Sequence, residues 1–184
     1  LRRQRQMCIR DRCKKVCPQL DTVEGLESFV CYAAWSFDDT IRTNSASGGI
    51  ATELYRFFSD KGYKLAGVSM TPMHTAEFSL SDSFESMPAY RNSKYVYSDA
   101  GNIYYEVGKN LVNQRGVLFI GLPCQVAALK KYLFVKKISL ELLFTVDIVC
   151  HGTTPEQFLG EHIEHIEKKK KKKAIHVAVS YTHL

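Results

Sequence analysis

The chain has 184 residues and a formal net charge of +6, with 25 basic and 19 acidic side chains. Eleven of the basic residues lie in 1–12 or in the run Lys168–Lys173, which leaves 14 basic and 18 acidic residues and a net charge of −4 in 13–167. This distribution argues against a nucleic-acid or membrane-surface partner, because such a partner needs positive charge on the folded body.

The body has the composition of one folded domain. Hydrophobic residues make up 45% of the chain, with ten Phe and ten Tyr, so a core can form and wholesale disorder is excluded. No uninterrupted apolar run approaches the roughly 18 residues that a membrane span requires. No secretion signal is visible, so we expect a cytoplasmic protein whose cysteines serve metal or redox chemistry rather than disulfides.

Both ends of the sequence look foreign to this domain. The strings MCIRDR at 7–12 and VSYTHL at 179–184 resemble translated sequencing-adapter read-through. We therefore predict artefactual tails at 1–12 and within 168–184, and we interpret the sequence as a fragment. Two explanations of the lysine run are open, a solvated helix end or a translated homopolymer.

The first predicted elements are a strand and a helix. Residues 29–36 are short, apolar and aromatic, which predicts a strand with Cys31 buried in its middle. The turn Ser47-Gly48-Gly49 opens a helix, and Gly62 lies just past its end. The apolar face of this helix is predicted from spacings of four, seven and eight residues, at Ile50, Leu54, Phe57 and Phe58.

A pair of strands and a second helix follow. Lys64–Met70 predicts a strand and Glu77–Ser81 an antiparallel partner, whereas residues 82–98 predict mostly loop. Apolar residues four apart then predict a helix that ends at Gly116. They are Ile103, Val107 and Leu111.

The remaining elements alternate between strand and helix. Val117–Ile120 and Leu142–Val149 predict apolar strands, Cys124–Leu133 predicts the helix between them, and Pro155 suits the first residue of a last helix. Strands that are apolar on both faces favour a parallel sheet covered by helices. The predicted fold class is α/β, with a mostly parallel sheet, flanking helices and a truncated ferredoxin-like segment in front.

That segment is predicted from Cys13 and Cys17. Their string, C-x3-C-P, ends the ferredoxin run C-x2-C-x2-C-x3-C-P, whose thiolates bind 4Fe–4S clusters. The two upstream cysteines would fall at Met7 and Arg10, so half of the motif is present. Two incidental cysteines are the alternative interpretation.

Cys124 and Cys150 form a second constellation. Each follows a predicted parallel strand where the chain turns into a helix, and ligands bind at that edge of open α/β sheets. Neighbouring strands lie about 4.8 Å apart, so both sulfurs could reach one inorganic site. Two buried structural cysteines, a thiol–disulfide pair and a zinc site with His151 are the alternatives.

Two polar features are candidates for binding phosphate. Small residues at Ser47, Gly48 and Gly49 permit close backbone approach at a helix start, although a plain N-cap by Ser47 is the alternative. Lys94 suits a phosphate or flavin contact, or is a solvated loop lysine. The pair His162 and His165, with neighbouring glutamates, is interpreted as a solvated helix face rather than a metal site.

Five strings together resemble one family, the beta subunits of coenzyme F-420-reducing hydrogenases and dehydrogenases. The resemblance runs in order from about Cys13 to about Glu167. The strings are CYAAW (31–35), SASGGIATEL (45–54), NSKYVYSD (92–99), VLFIGLPCQVAALK (117–130) and TVDIVCHG (145–152).

This resemblance implies an iron–sulfur flavoprotein that passes electrons between 4Fe–4S clusters, FAD and a substrate, which in some members is coenzyme F-420. It makes Ser47, Gly48, Gly49 and Lys94 candidate flavin contacts. It makes Cys13, Cys17, Cys124 and Cys150 candidate cluster ligands. Leu122 departs from the family pattern, where a small hydroxyl residue is usual, and so does the string TTPEQF after residue 152.

The expected function is that of an oxidoreductase fragment. Its partners would be a redox protein, such as ferredoxin or a hydrogenase or dehydrogenase subunit, and a small-molecule substrate; an oligomer is compatible with these features. The alternatives are a non-catalytic electron-relay subunit and a thiol–disulfide redox protein. We divide the chain into a tail at 1–12, a ferredoxin-like remnant at 13–28, the N-terminal part of the beta subunit-like domain at 29–167, and 168–184.

Overall fold

Five strands form one sheet in the computed structural model, which describes residues 14–18, 20 and 27–174. The sheet order is β3-β2-β1-β4-β5. Strands β1 and β2 are antiparallel, and the other three pairs are parallel. The predicted α/β class with a mostly parallel sheet is therefore confirmed. The strands are β1 Lys64–Met70, β2 Ala76–Ser81, β3 Ser98–Asp99, β4 Val117–Gly121 and β5 Leu143–Asp147.

Helices flank both faces of this sheet. Strand β4 is buried along its whole length, so alternate residues face opposite layers. Phe119 belongs to a core cluster with α3 and α4, whereas Leu118 packs in a second cluster with α2. The helices are α1 Asp39–Thr43, α2 Ile50–Asp60, α3 Ile103–Val112, α4 Pro123–Val135 and α5 Glu156–Lys170, with a 3-10 helix at Phe84–Tyr90.

Two tyrosines pack over a glycine on the α2 side of the sheet. The Tyr55 hydroxyl donates to the Ala66 carbonyl at 3.1 Å, and the rings of Tyr55 and Tyr90 lie 5.6 Å apart. A Cβ atom on Gly67 would lie 2.6 Å from Cδ2 of Tyr90, which is closer than carbon atoms pack. The missing side chain at Gly67 therefore admits both rings.

The predicted strand at 29–36 is wrong. These residues form no helix or strand, and Phe29, Tyr32 and Trp35 are largely exposed. Cys31, expected to be buried, is exposed as well. Strand propensity measures how well a side chain fits a pleated, half-buried surface, and this segment pairs with no strand among the described residues.

The start of α2 differs in detail from its prediction. The N-cap is Gly49 rather than Ser47, and it makes no side-chain cap bond. The buried face of the helix is formed by Thr52, Tyr55 and Phe58, while Phe57 is 53% exposed. The apolar side chains of this helix lie on more than one of its faces, so their spacing alone did not predict which face is buried.

The other element predictions are confirmed within one or two residues at most ends, including the antiparallel β1–β2 pair. Residues 82–98 are mostly irregular, as expected, apart from the 3-10 helix. The ferredoxin-like segment at 13–28 stays a prediction, since most of it lies outside the described residues. No helix in the described part of the chain is both long and apolar enough to cross a membrane.

Candidate functional site

A cleft of about 410 Å³ opens at the carboxyl ends of the parallel strands. Strands β4 and β5 end side by side, with Gly121 opposite Asp147. Above them the segment before β3 bonds to the segment after β5, because Tyr97 N–H donates to the Thr154 carbonyl at 3.1 Å. The Thr154 hydroxyl returns a bond to the Tyr95 carbonyl at 2.8 Å. These bonds join the two loops into one wall of the cleft.

Most of the surface that lines the cleft is apolar, and several polar side chains interrupt it. Val68 and Ile120 come from the sheet, Ala51 and Tyr55 from α2, and Val149 from the loop after β5. An apolar cleft with a few fixed polar groups is the usual form of a small-molecule site. Its polar side chains include Asn92, Lys94, Ser98, Gln125, Cys150 and His151.

Lys94 is the cationic side chain of this lining. Its ammonium donates to the carbonyls of Arg91 at 2.6 Å and Asn92 at 3.1 Å. Burial lowers the pKa of Lys94 to about 8, because the charged form loses hydration. Among the described residues it joins no ion pair. The role of Lys94 as a phosphate or flavin contact stays a prediction.

Ser98 and Gln125 form a buried polar pair beside the cleft. Gln125 accepts the Leu122 N–H at 2.9 Å through Oε1 and donates from Nε2 to the Ser98 hydroxyl oxygen at 2.7 Å. The first bond satisfies an otherwise free N–H at the start of α4. The pair thus connects the end of β4 to β3 across the sheet edge.

The two cysteines at the strand ends have different surroundings. Cys150 is exposed, lines the cleft, and accepts the Gly152 N–H at 3.3 Å. Cys124 is half-buried in the first turn of α4 and is not part of the lining. Its neighbour is Tyr104, whose pKa is raised to about 12 by burial and, to a smaller extent, by Cys124 and Tyr97.

No metal-binding group of three or more His, Cys, Asp or Glu side chains occurs among the described residues. Cys17 is half-buried in the short described segment 14–18, and Cys13 lies outside the described residues. His162 and His165 are exposed on α5, as expected of a solvated face. The cluster ligands implied by the family resemblance stay a prediction.

The glycine turn before α2 supports the cleft from outside its lining. Gly48 and Gly49 have φ of +53° and +82°, and a Cβ on Gly49 would lie 2.8 Å from Cγ2 of Ile41. Both glycines are therefore explained by backbone conformation and close packing. The turn reaches the cleft through Ala46, whose N–H donates to Asn92 Oδ1 at 2.9 Å.

Sequence reasoning missed several residues of the cleft, Tyr90 and Ser98 among them. Both come from 82–98, where no apolar period is visible. Ser98 lies in the string NSKYVYSD at 92–99, but its pairing with Gln125 joins positions 27 residues apart. Contacts of that separation depend on the fold.

Comparison with known proteins gives two similarities. A family model for the C terminus of the beta subunit in coenzyme F420 hydrogenase/dehydrogenase matches residues 114–183. The resemblance to this beta subunit family is confirmed. The match overlaps residues 114–167 of the segment 29–167. We predicted that segment as the N-terminal part of the domain, whereas the matching model describes a C terminus. No curated protein matches the chain.

The fold is also shared with a solved structure. A chain of the F420-reducing NiFe hydrogenase complex from Methanosarcina barkeri, solved as a xenon derivative, superposes with a TM-score of 0.59 at 20% sequence identity. The superposition covers 76% of this chain and 52% of that chain, so our sequence spans about half the length of the matched protein. The solved structure therefore shows the fold that this chain shares.

Proposed function

We propose that this chain is the flavin-binding part of an oxidoreductase subunit, with FAD in the cleft at the carboxyl edge of the sheet. The observation that carries the proposal is the position of Lys94 in an apolar cleft, as a partly buried cation that has no acidic partner among the described residues. The flavin would supply two-electron chemistry, while the protein sets its position and potential.

The residues of the cleft fit the parts of a flavin cofactor. Apolar side chains such as Val68 and Ile120 suit a planar ring, and the volume of about 410 Å³ lies in the usual range for ligand pockets. Lys94 suits an anionic group, and Asn92 links this loop to Ala46, directly before the glycine turn Ser47-Gly48-Gly49. The electron acceptor or donor would be a small molecule of the coenzyme F-420 type, with a redox protein as partner.

A 4Fe–4S cluster fits the described residues less well. Such a cluster is held by four thiolates. Among the described residues, no three His, Cys, Asp or Glu side chains lie close enough together to hold a metal ion. Ligation by Cys13, Cys17, Cys124 and Cys150 therefore depends on residues outside the described part of the chain. Iron and sulfide content after anaerobic reconstitution tests this ligation, since Cys124→Ser and Cys150→Ser should each lower the iron content.

Titration of the 184-residue chain with FAD tests the flavin proposal. We expect one FAD per chain, and weaker binding in Lys94→Met, because the cation is lost while the aliphatic length is kept. Lys109→Met, on the exposed surface of α3, is the matched control. A chain that binds iron but no flavin would instead favour an electron-relay subunit.

A further inference from the structure

The buried pair Ser98 and Gln125 has an unused hydrogen-bond donor beside the cleft. Ser98 is 6% exposed and Gln125 is 7% exposed, and both belong to the cleft lining. Buried side-chain polar atoms nearly always have a hydrogen-bond partner, and a hydroxyl can donate one bond in addition to those it accepts. The group that accepts a hydrogen bond from this pair therefore indicates what kind of ligand the cleft binds.

The hydrogen-bond pattern fixes the direction of each group. The Leu122 N–H can only donate, so the oxygen of the Gln125 amide must face it, and the amide nitrogen must face Ser98. Since Nε2 has no acceptor capacity, the Ser98 oxygen accepts and its own proton points elsewhere. Among the described residues the Ser98 hydroxyl donates to no protein group.

We propose that the Ser98 hydroxyl, held by Gln125, donates a hydrogen bond to the redox-active ring of the ligand and raises its reduction potential. This inference rests on the proposed flavin function. Reduction places electron density on the carbonyl and imine atoms of such a ring, so a fixed donor stabilises the reduced form more than the oxidised form. Ser98 is then a ligand contact, and Gln125 is a positioning residue.

The reduction potential of bound FAD tests the proposal. One neutral hydrogen bond contributes about 0.5–1.5 kcal/mol. We therefore expect Ser98→Ala to lower the affinity for reduced relative to oxidised FAD about two- to twelvefold, which lowers the two-electron potential by about 10 to 30 mV. The potential is measured by equilibration with a reference dye, using the full chain loaded with FAD.

Two further variants separate the donor from the fold. Ser98→Thr keeps the hydroxyl and should keep the wild-type potential, whereas Ser98→Cys keeps the side-chain volume with a weaker donor and should lower it. Ser59→Ala removes a half-buried hydroxyl outside the cleft lining and is the control. Thermal unfolding of each variant reports its stability separately.

The outcomes distinguish this inference from the function on which it rests. If the wild-type chain binds no FAD, the proposed function fails. If it binds FAD but Ser98→Ala and Ser98→Cys both keep the wild-type potential, the flavin function stands and the role of Ser98 is overturned.

Discussion

The affinity for FAD should depend on pH through Lys94. Its ammonium has a pKa of about 8 in the free protein, so the charged fraction falls from about nine-tenths at pH 7 to about one-tenth at pH 9. An anionic ligand binds the charged form better, so binding raises this pKa. Affinity is therefore full below pH 8 and falls as the pH rises above it.

The size of the effect follows from the strength of a charge-assisted hydrogen bond. Such a bond contributes about 1.5–3 kcal/mol, which corresponds to roughly 10- to 150-fold in affinity. Between pH 7 and pH 9.5 we expect the Kd of FAD to rise about tenfold or more. Fluorescence titration at half-unit intervals of pH measures this change.

Two variants at the same position serve as controls. Lys94→Arg carries its charge throughout this range and should give a flat profile. Lys94→Met should bind weakly at every pH, again with a flat profile. A wild-type profile that is flat from pH 7 to 9.5, or that bends equally in Lys94→Arg, would refute the reasoning.

Three other expectations concern the fold and the thiols. Gly67→Ala should lower the free energy of unfolding by about 1–3 kcal/mol in urea denaturation, because its Cβ would lie 2.6 Å from the Tyr90 ring; an unchanged midpoint would contradict this packing. Phe119→Ala should cost about 3–5 kcal/mol, since this fully buried ring stacks on Phe78 at 5.0 Å; a loss below 1 kcal/mol would be inconsistent with that burial. In the folded protein a thiol reagent should modify exposed Cys150 faster than half-buried Cys124, as peptide mapping can determine, and equal rates would argue against their different surroundings.

The sequence was most informative where local pattern and tertiary structure agree. Strand β4 is apolar at every position before its glycine, which indicates burial on both faces, and the structure buries all five residues. The placement of Cys124 and Cys150 at neighbouring strand ends was predicted from the alternation of strands and helices along the chain. Which thiol faces the cleft did not follow, because it depends on how the loop after β5 and the first turn of α4 diverge.

The failures have a common physical origin in contacts between distant segments. Residues 29–36 have strand propensity, but Ser36 N–H bonds to the Gly48 carbonyl at 2.6 Å instead of joining a sheet. The burial of Lys94 and the pairing of Ser98 with Gln125 likewise arise where separate loops meet. The residue periodicity of a single segment does not predict contacts between segments that are distant in the sequence.

Blocking the cleft tests the central claim most directly. Ala51 lies in the first turn of α2 and lines the cleft, so Ala51→Trp should fill it while leaving the helix intact. Tyr105→Trp, on the exposed surface of α3, introduces the same ring outside the lining. We predict one FAD per chain for the wild type and for Tyr105→Trp, and at least about tenfold weaker binding for Ala51→Trp. Equal FAD affinity in all three proteins would contradict a flavin site in this cleft.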